Sequence, residues 1–278
     1  MSRPKRTVKV ATIASKEKAA VTDAVTDPHE HLRRVDEELR AVIERAGPCP
    51  LPERAQEAPD GARSFRALVH AIVSQQLSGK AADTIFGRVE ALGGGTLPGP
   101  AELLALPDEK LRAAGLSGAK MRGVKDLAAR VLEGALDLDV LHARDDEAVI
   151  ELLTQVKGIG RWTAEMFLMF RLGRLDVLST ADLGLRKGLM MLRGLRDLPD
   201  PPTMERLTAH WRPFRSVGCW YLWRVAEEAP PARKKAPAAK QGAATKTAAK
   251  TTTSTKRSAS TKRTPAKKSR AEQVLSKR

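Results

Sequence analysis

Apolar residues recur at intervals of three and four along most of the chain, the spacing of one face of a helix. From Pro28 onward, Leu32, Val35, Leu39, Val42 and Ile43 predict a first amphipathic helix. Pro48, Pro50, Pro52 and Pro59 mark a loop, and Phe65, Leu68, Val69, Ile72 and Val73 predict a second helix over Phe65–Gly79, interrupted at Gln75-Gln76-Leu77-Ser78. A helix over 81–92 stops at Gly93-Gly94-Gly95, and shorter ones are predicted over 101–105, 108–114, 119–133 and 145–155. The segment 161–171 is apolar nearly all round (Ala164, Met166, Phe167, Leu168, Met169, Phe170), which predicts a buried helix. Helices near 183–192, 203–209 and 213–227 complete the set. No segment alternates with the period of a strand, so the globular part is expected to be all-α.

The two ends follow other rules. Residues 1–28 mix Lys, Thr, Ala and Ser without periodicity, and residues 230–278 are Lys, Ala, Thr, Pro and Ser with almost nothing to bury. Both are expected to be disordered basic segments flanking one domain over 29–229. Of the net charge of +16, residues 231–278 carry fifteen Lys and Arg against the single acid Glu272. The folded part is therefore close to neutral, and any recognition by it must come from a local patch. The tail suits neutralisation of nucleic-acid phosphates, a salt-sensitive and sequence-blind interaction. Two cysteines, Cys49 and Cys219, give no disulfide framework, and they are too few for a four-cysteine iron–sulfur cluster. No apolar run reaches a membrane span of about 18 residues. These features fit a cytoplasmic, nucleoid-associated monomer. The histidines show no ligand spacing, and no phosphate-loop or zinc motif is present.

The chemistry concentrates between residues 152 and 182. Leu152-Leu-Thr-Gln-Val-Lys-Gly158-Ile-Gly160-Arg-Trp162 reads as helix, hairpin, helix, with Gly158 and Gly160 supplying the positive φ of a tight turn. Bare N–H groups at the start of the second helix offer an anion site suited to a DNA phosphate. Asp182 follows about twenty residues later, a carboxylate that a simple DNA clamp does not need. It also reads as the cap of the helix after it, and the two roles are compatible. Asp176 is the rival carboxylate.

Three stretches in this order carry a resemblance: Ala71-Ile-Val-Ser-Gln75-Gln76-Leu77-Ser, the hairpin through Asp182, and Trp211-Arg-Pro-Phe214 continuing to Trp220-Tyr-Leu-Trp223. Together they resemble the helix-hairpin-helix DNA glycosylase superfamily and, within it, the 3-methyladenine DNA glycosylase II family, from about Phe65 to Trp223. The resemblance implies two helical subdomains with a DNA cleft between them. Only about 36 residues precede Phe65 after the first basic segment, so the extra N-terminal β-rich domain of some members does not fit. It implies duplex DNA containing a damaged base as the partner, and excision of alkylated purines of the 3-methyladenine and 7-methylguanine type.

Residue by residue, the resemblance makes Asp182 the catalytic carboxylate and Gln76, with Gln75 and Leu77 beside it, the wedge that fills the gap left by an everted base. Lys157, Gly158, Ile159, Gly160, Arg161 and Thr163 fall on the hairpin and are expected to bind DNA. Backbone carbonyls of Thr154, Val156 and Ile159 are expected to hold a monovalent cation; no other cofactor is implied. Trp162 stands where strand-cleaving members carry a nucleophilic lysine, so base removal without lyase activity is expected. Trp162, Phe214, Trp211 and Trp220 are the expected base pocket, since aromatic faces attract cationic bases. The chain departs from the family pattern at Phe214, where relatives often have Trp, and at Thr180-Ala181 before the aspartate. A glycosylase for another lesion and a non-catalytic nucleoid protein remain alternatives.

Overall fold

The computed structural model describes residues 27–228, so the expected disordered segments lie almost wholly outside the described residues. Thirteen α-helices and two short 3₁₀ turns make up the described part, with a single isolated bridge between Gly93 and Thr96 and no strand. The all-α expectation holds. We label the helices α1 (Pro28–Val35), α2 (Glu37–Ala46), α3 (Leu51–Arg54), α4 (Gly61–Ser74), α5 (Gly79–Ala91), α6 (Pro100–Ala105), α7 (Asp108–Ala113), α8 (Gly118–Leu132), α9 (Asp146–Thr154), α10 (Arg161–Phe170), α11 (Leu183–Leu192), α12 (Pro201–Thr208) and α13 (Arg215–Glu228).

Side-chain caps define many of the starts. Asp60, Asp145, Asp182 and Asp200 each accept an amide three residues on, satisfying a donor that has no partner within the helix. Helices α1, α2, α11 and α13 pack into one layer, and α4, α5, α6 and α8 into another. Helix α10 joins them, touching α3, α4 and α9, and it is buried from Thr163 to Phe170, as its apolar circumference predicts. Within the first layer α11 lies close against α13 because a Cβ at Gly188 would collide with the Leu222 carbonyl.

The single helix expected from Pro28 is two helices. The chain turns extended at Asp36 (φ −143°, ψ 103°), whose carboxylate caps α2 through the Leu39 amide and also binds Arg193, His210 Nε2 and Trp211 Nε1. Burial alone would raise the pKa of Asp36, but the Arg193 guanidinium and the other donors outweigh it and hold the group at about 2. One carboxylate thus joins the first helices to the C-terminal layer. No helix among the described residues is long and apolar enough to cross a membrane.

Candidate active site and DNA-binding cleft

The loop between α10 and α11 is fastened along its length. Asp176 accepts Arg212 Nη1 at 2.6 Å and Arg215 Nε at 2.7 Å, and the Val177 amide donates to Ser216 Oγ at 2.8 Å. Ser179 is fully buried and its hydroxyl donates to Glu165 at 2.6 Å. The loop ends at Asp182, which both caps α11 and faces a cleft. Its Oδ1 accepts the Leu185 amide at 2.8 Å and Trp223 Nε1 at 3.1 Å; its Oδ2 accepts Trp162 Nε1 at 2.7 Å. Two indoles from different helices therefore fix the plane of the carboxylate. The rival Asp176 is committed to arginines and does not line the cleft.

The cleft has a volume of about 710 Å³, within the range of small-molecule pockets. Gln76, Gly160, Trp162, Asp182, Leu183 and Trp223 are among the residues that line it. Gln76 has φ 59°, a left-handed conformation that costs a non-glycine residue about 1–2 kcal/mol. Its neighbours hold it there: Gln75 Nε2 donates to the Gly158 carbonyl at 2.6 Å, and Lys120 Nζ to the Val73 carbonyl at 2.7 Å. Gln75 thus ties this turn to the hairpin while exposed Gln76 lines the cleft; Leu77 completes the turn through its amide and does not line it. A second cavity, of about 690 Å³, lies around Gly61, Phe65, Pro98 and Leu136 and contains none of the expected site residues.

In the hairpin only Gly158 has positive φ (87°); Gly160 is ordinary extended backbone at φ −96°. The expectation that both glycines serve a left-handed turn is corrected: Gly160 has an ordinary negative φ, and nothing lies within 4 Å of a Cβ built on it. Ile159 is buried and Thr163 is buried at the cleft wall. Lys157 Nζ lies 3.3 Å from Asp126, and Arg161 is held by Glu147 and by Glu165, so both hairpin cations already have acid partners. Lys187, one turn beyond Asp182, also lines the cleft; sequence reasoning passed over it. Backbone oxygens at Thr154, Val156 and Ile159 are the hard donors a sodium or potassium ion takes. Val156 already accepts the Ile159 amide at 3.0 Å, which leaves one of its lone pairs.

Of the four aromatics expected in the base pocket, Trp162 lines the cleft and the other three lie elsewhere. Trp211 is wholly enclosed, its Nε1 donating to Asp36 at 2.6 Å. Phe214 packs edge-on against His31 at 5.3 Å, and Trp220 carries the Arg224 guanidinium 4.5 Å above its ring. None of the three lines the cleft. The second aromatic at the carboxylate is Trp223, stacked on Phe170 at 5.6 Å. The signal for it lay in Asp182-Leu183-Gly184: a Cβ at Gly184 would sit 2.9 Å from Trp223 Cδ1, so the glycine makes room for that indole.

This fold and cleft define a helix-hairpin-helix protein with one indole-clamped carboxylate beside the hairpin. The chain belongs to the HhH-GPD superfamily of base excision DNA repair proteins, whose pattern matches residues 69–213. It is similar to DNA-3-methyladenine glycosylase 1 of Schizosaccharomyces pombe, with 34% identity over 229 residues, covering 81% of this chain and 99% of the relative. The solved structure of the S. pombe 3-methyladenine DNA glycosylase in complex with abasic DNA covers 72% of this chain and 96% of its own, at TM-score 0.61 and 32% identity. The DNA-3-methyladenine glycosidase of Bacillus halodurans has TM-score 0.62 and 41% identity, covering 73% and 91%.

Proposed function

We propose that the chain excises alkylated purines from duplex DNA, acting as a single copy and leaving an abasic site. The observation that carries this reading is the Asp182 carboxylate, held by Trp162 and Trp223 at the wall of a cleft beside the hairpin. Gln76 fills the stack vacated by the everted base. The amides at the start of α10, which have no side-chain cap, seat a backbone phosphate. A purine methylated on its ring carries positive charge, so the C1′–N bond breaks with its electron pair passing to the base, which leaves neutral. Asp182 stabilises the positive charge that develops on the sugar, orients the water that adds to C1′ and accepts the proton that water gives up. The indole of Trp162, partly exposed in the cleft, favours the cationic base over its neutral parent. Lys187 serves as a phosphate contact and not as a nucleophile.

Incubation with methylated duplex DNA should release free 3-methyladenine and 7-methylguanine and leave alkali-labile sites. Borohydride added during the reaction should trap no covalent protein–DNA adduct. Binding without base release contradicts the reading. A trapped band that disappears in Lys187→Ala assigns a lyase step to that amine.

A further inference from the structure

Glu165 is a buried carboxylate that the proposed reaction leaves unused. It lies one turn along α10 from Trp162, is 6% exposed, and has one donor on each oxygen: the Ser179 hydroxyl at 2.6 Å and Arg161 Nε at 3.1 Å. These donors belong to the two working segments of the site. Arg161 opens α10 at the hairpin, and Ser179 sits three residues before Asp182. The Ser179 carbonyl accepts the Asp182 amide at 3.2 Å, so one residue both receives the Glu165 anchor and forms the turn that aims the carboxylate. Burial raises the pKa of Glu165 against the opposing pull of Ser179 and Arg161. A buried charge is no better for stability than a well-packed apolar side chain, so packing alone does not call for one here. The remaining nitrogens of Arg161 reach Glu147, whose side chain is 63% exposed and which a DNA phosphate can replace.

We infer that Glu165 is a positioning residue that couples the hairpin to the catalytic loop. A phosphate seated at the hairpin takes the outer face of Arg161 from Glu147. The inner face stays on Glu165, which through Ser179 holds the Asp182 turn in its reacting geometry. This inference rests on the assignment of Asp182 above.

Single-turnover excision of 7-methylguanine and affinity for a duplex with a stable abasic analogue, measured on the full chain, separate positioning from binding. Glu165→Gln and Ser179→Ala should each lower the excision rate about 10- to 100-fold, the scale of a small misplacement of a catalytic group. Affinity should stay within about twofold, and the double variant should be no slower than the slower single one, as for residues acting as a unit. If Glu165→Gln does not fold, Ser179→Ala carries the same rate-against-affinity test alone. A folded variant with wild-type rate, losses that multiply, or affinity falling in step with rate overturns the coupling. Asp182→Asn in the same assay distinguishes the two failures. If that variant also keeps its rate, the assignment of Asp182 has failed; if it is inert while Glu165→Gln is fully active, only the coupling has.

Discussion

Asp182→Asn should release almost no methylated purine from duplex DNA while binding that DNA nearly as well as the wild type. The substitution keeps the volume of the side chain and an oxygen for the Leu185 amide, so α11 retains its cap. It removes the negative charge and turns one acceptor into an amino group. That group then faces an indole N–H, because Trp162 and Trp223 donate to opposite oxygens. Loss of electrostatic stabilisation of this kind costs about 10²–10³ in rate, and loss of a proton-handling group about 10²–10⁴. The hydrogen-bond partners of the carboxylate are Leu185, Trp162 and Trp223, not Gln76 or the hairpin glycines, so affinity for an abasic-analogue duplex should change only a few-fold. Single-turnover release under excess enzyme measures the first quantity, and a titration measures the second. Near-normal release would remove the carboxylate from the mechanism.

The second large effect concerns stability. Asp36→Ala leaves the Arg193 guanidinium, largely buried, without its main partner and strips Trp211 and His210 of their acceptor. Breaking a buried pair from one side costs about 3–5 kcal/mol, a large share of the stability of a domain. The same residue gives the protein an acid limb. Its folded-state pKa is lowered to about 2, so its contribution is fully present above the ordinary carboxylate value and is lost as pH falls from about 4 towards 2. The difference corresponds to about 2 kcal/mol. Urea melts across this range should show a steep loss for the wild type and a shallower one for Asp36→Ala. Parallel curves would mean that the carboxylate is not the group that titrates.

Much of this molecule was legible from spacing alone. The apolar circumference of 161–171 marked the central helix, and the hairpin followed by a lone aspartate marked the cleft. The dual reading of Asp182, cap and cleft group at once, is what the coordinates show. What escaped was tertiary in origin. The break at Asp36 is invisible to periodicity because Leu32, Val35, Leu39 and Ile43 keep their spacing across it, and the break exists for partners some 160 to 175 residues away. The choice of Trp223 over Phe214, Trp211 and Trp220 depended on which face of a buried helix met Gly184, and helical spacing cannot say so. The cations Lys157 and Arg161 looked free in sequence because Asp126 and Glu147 lie on other helices.

The proposed reaction sets a fixed negative charge at Asp182 against positive charge on the sugar. A transition-state mimic tests it without turnover, since a catalytic site binds the transition state more tightly than the ground state. The measurement is the affinity of wild type and Asp182→Asn for two matched duplexes, one carrying a cationic azasugar and one a neutral tetrahydrofuran at the lesion position. Wild type should prefer the cation, and the variant should lose that preference while holding the neutral duplex as before. An equal preference in both proteins would contradict the account.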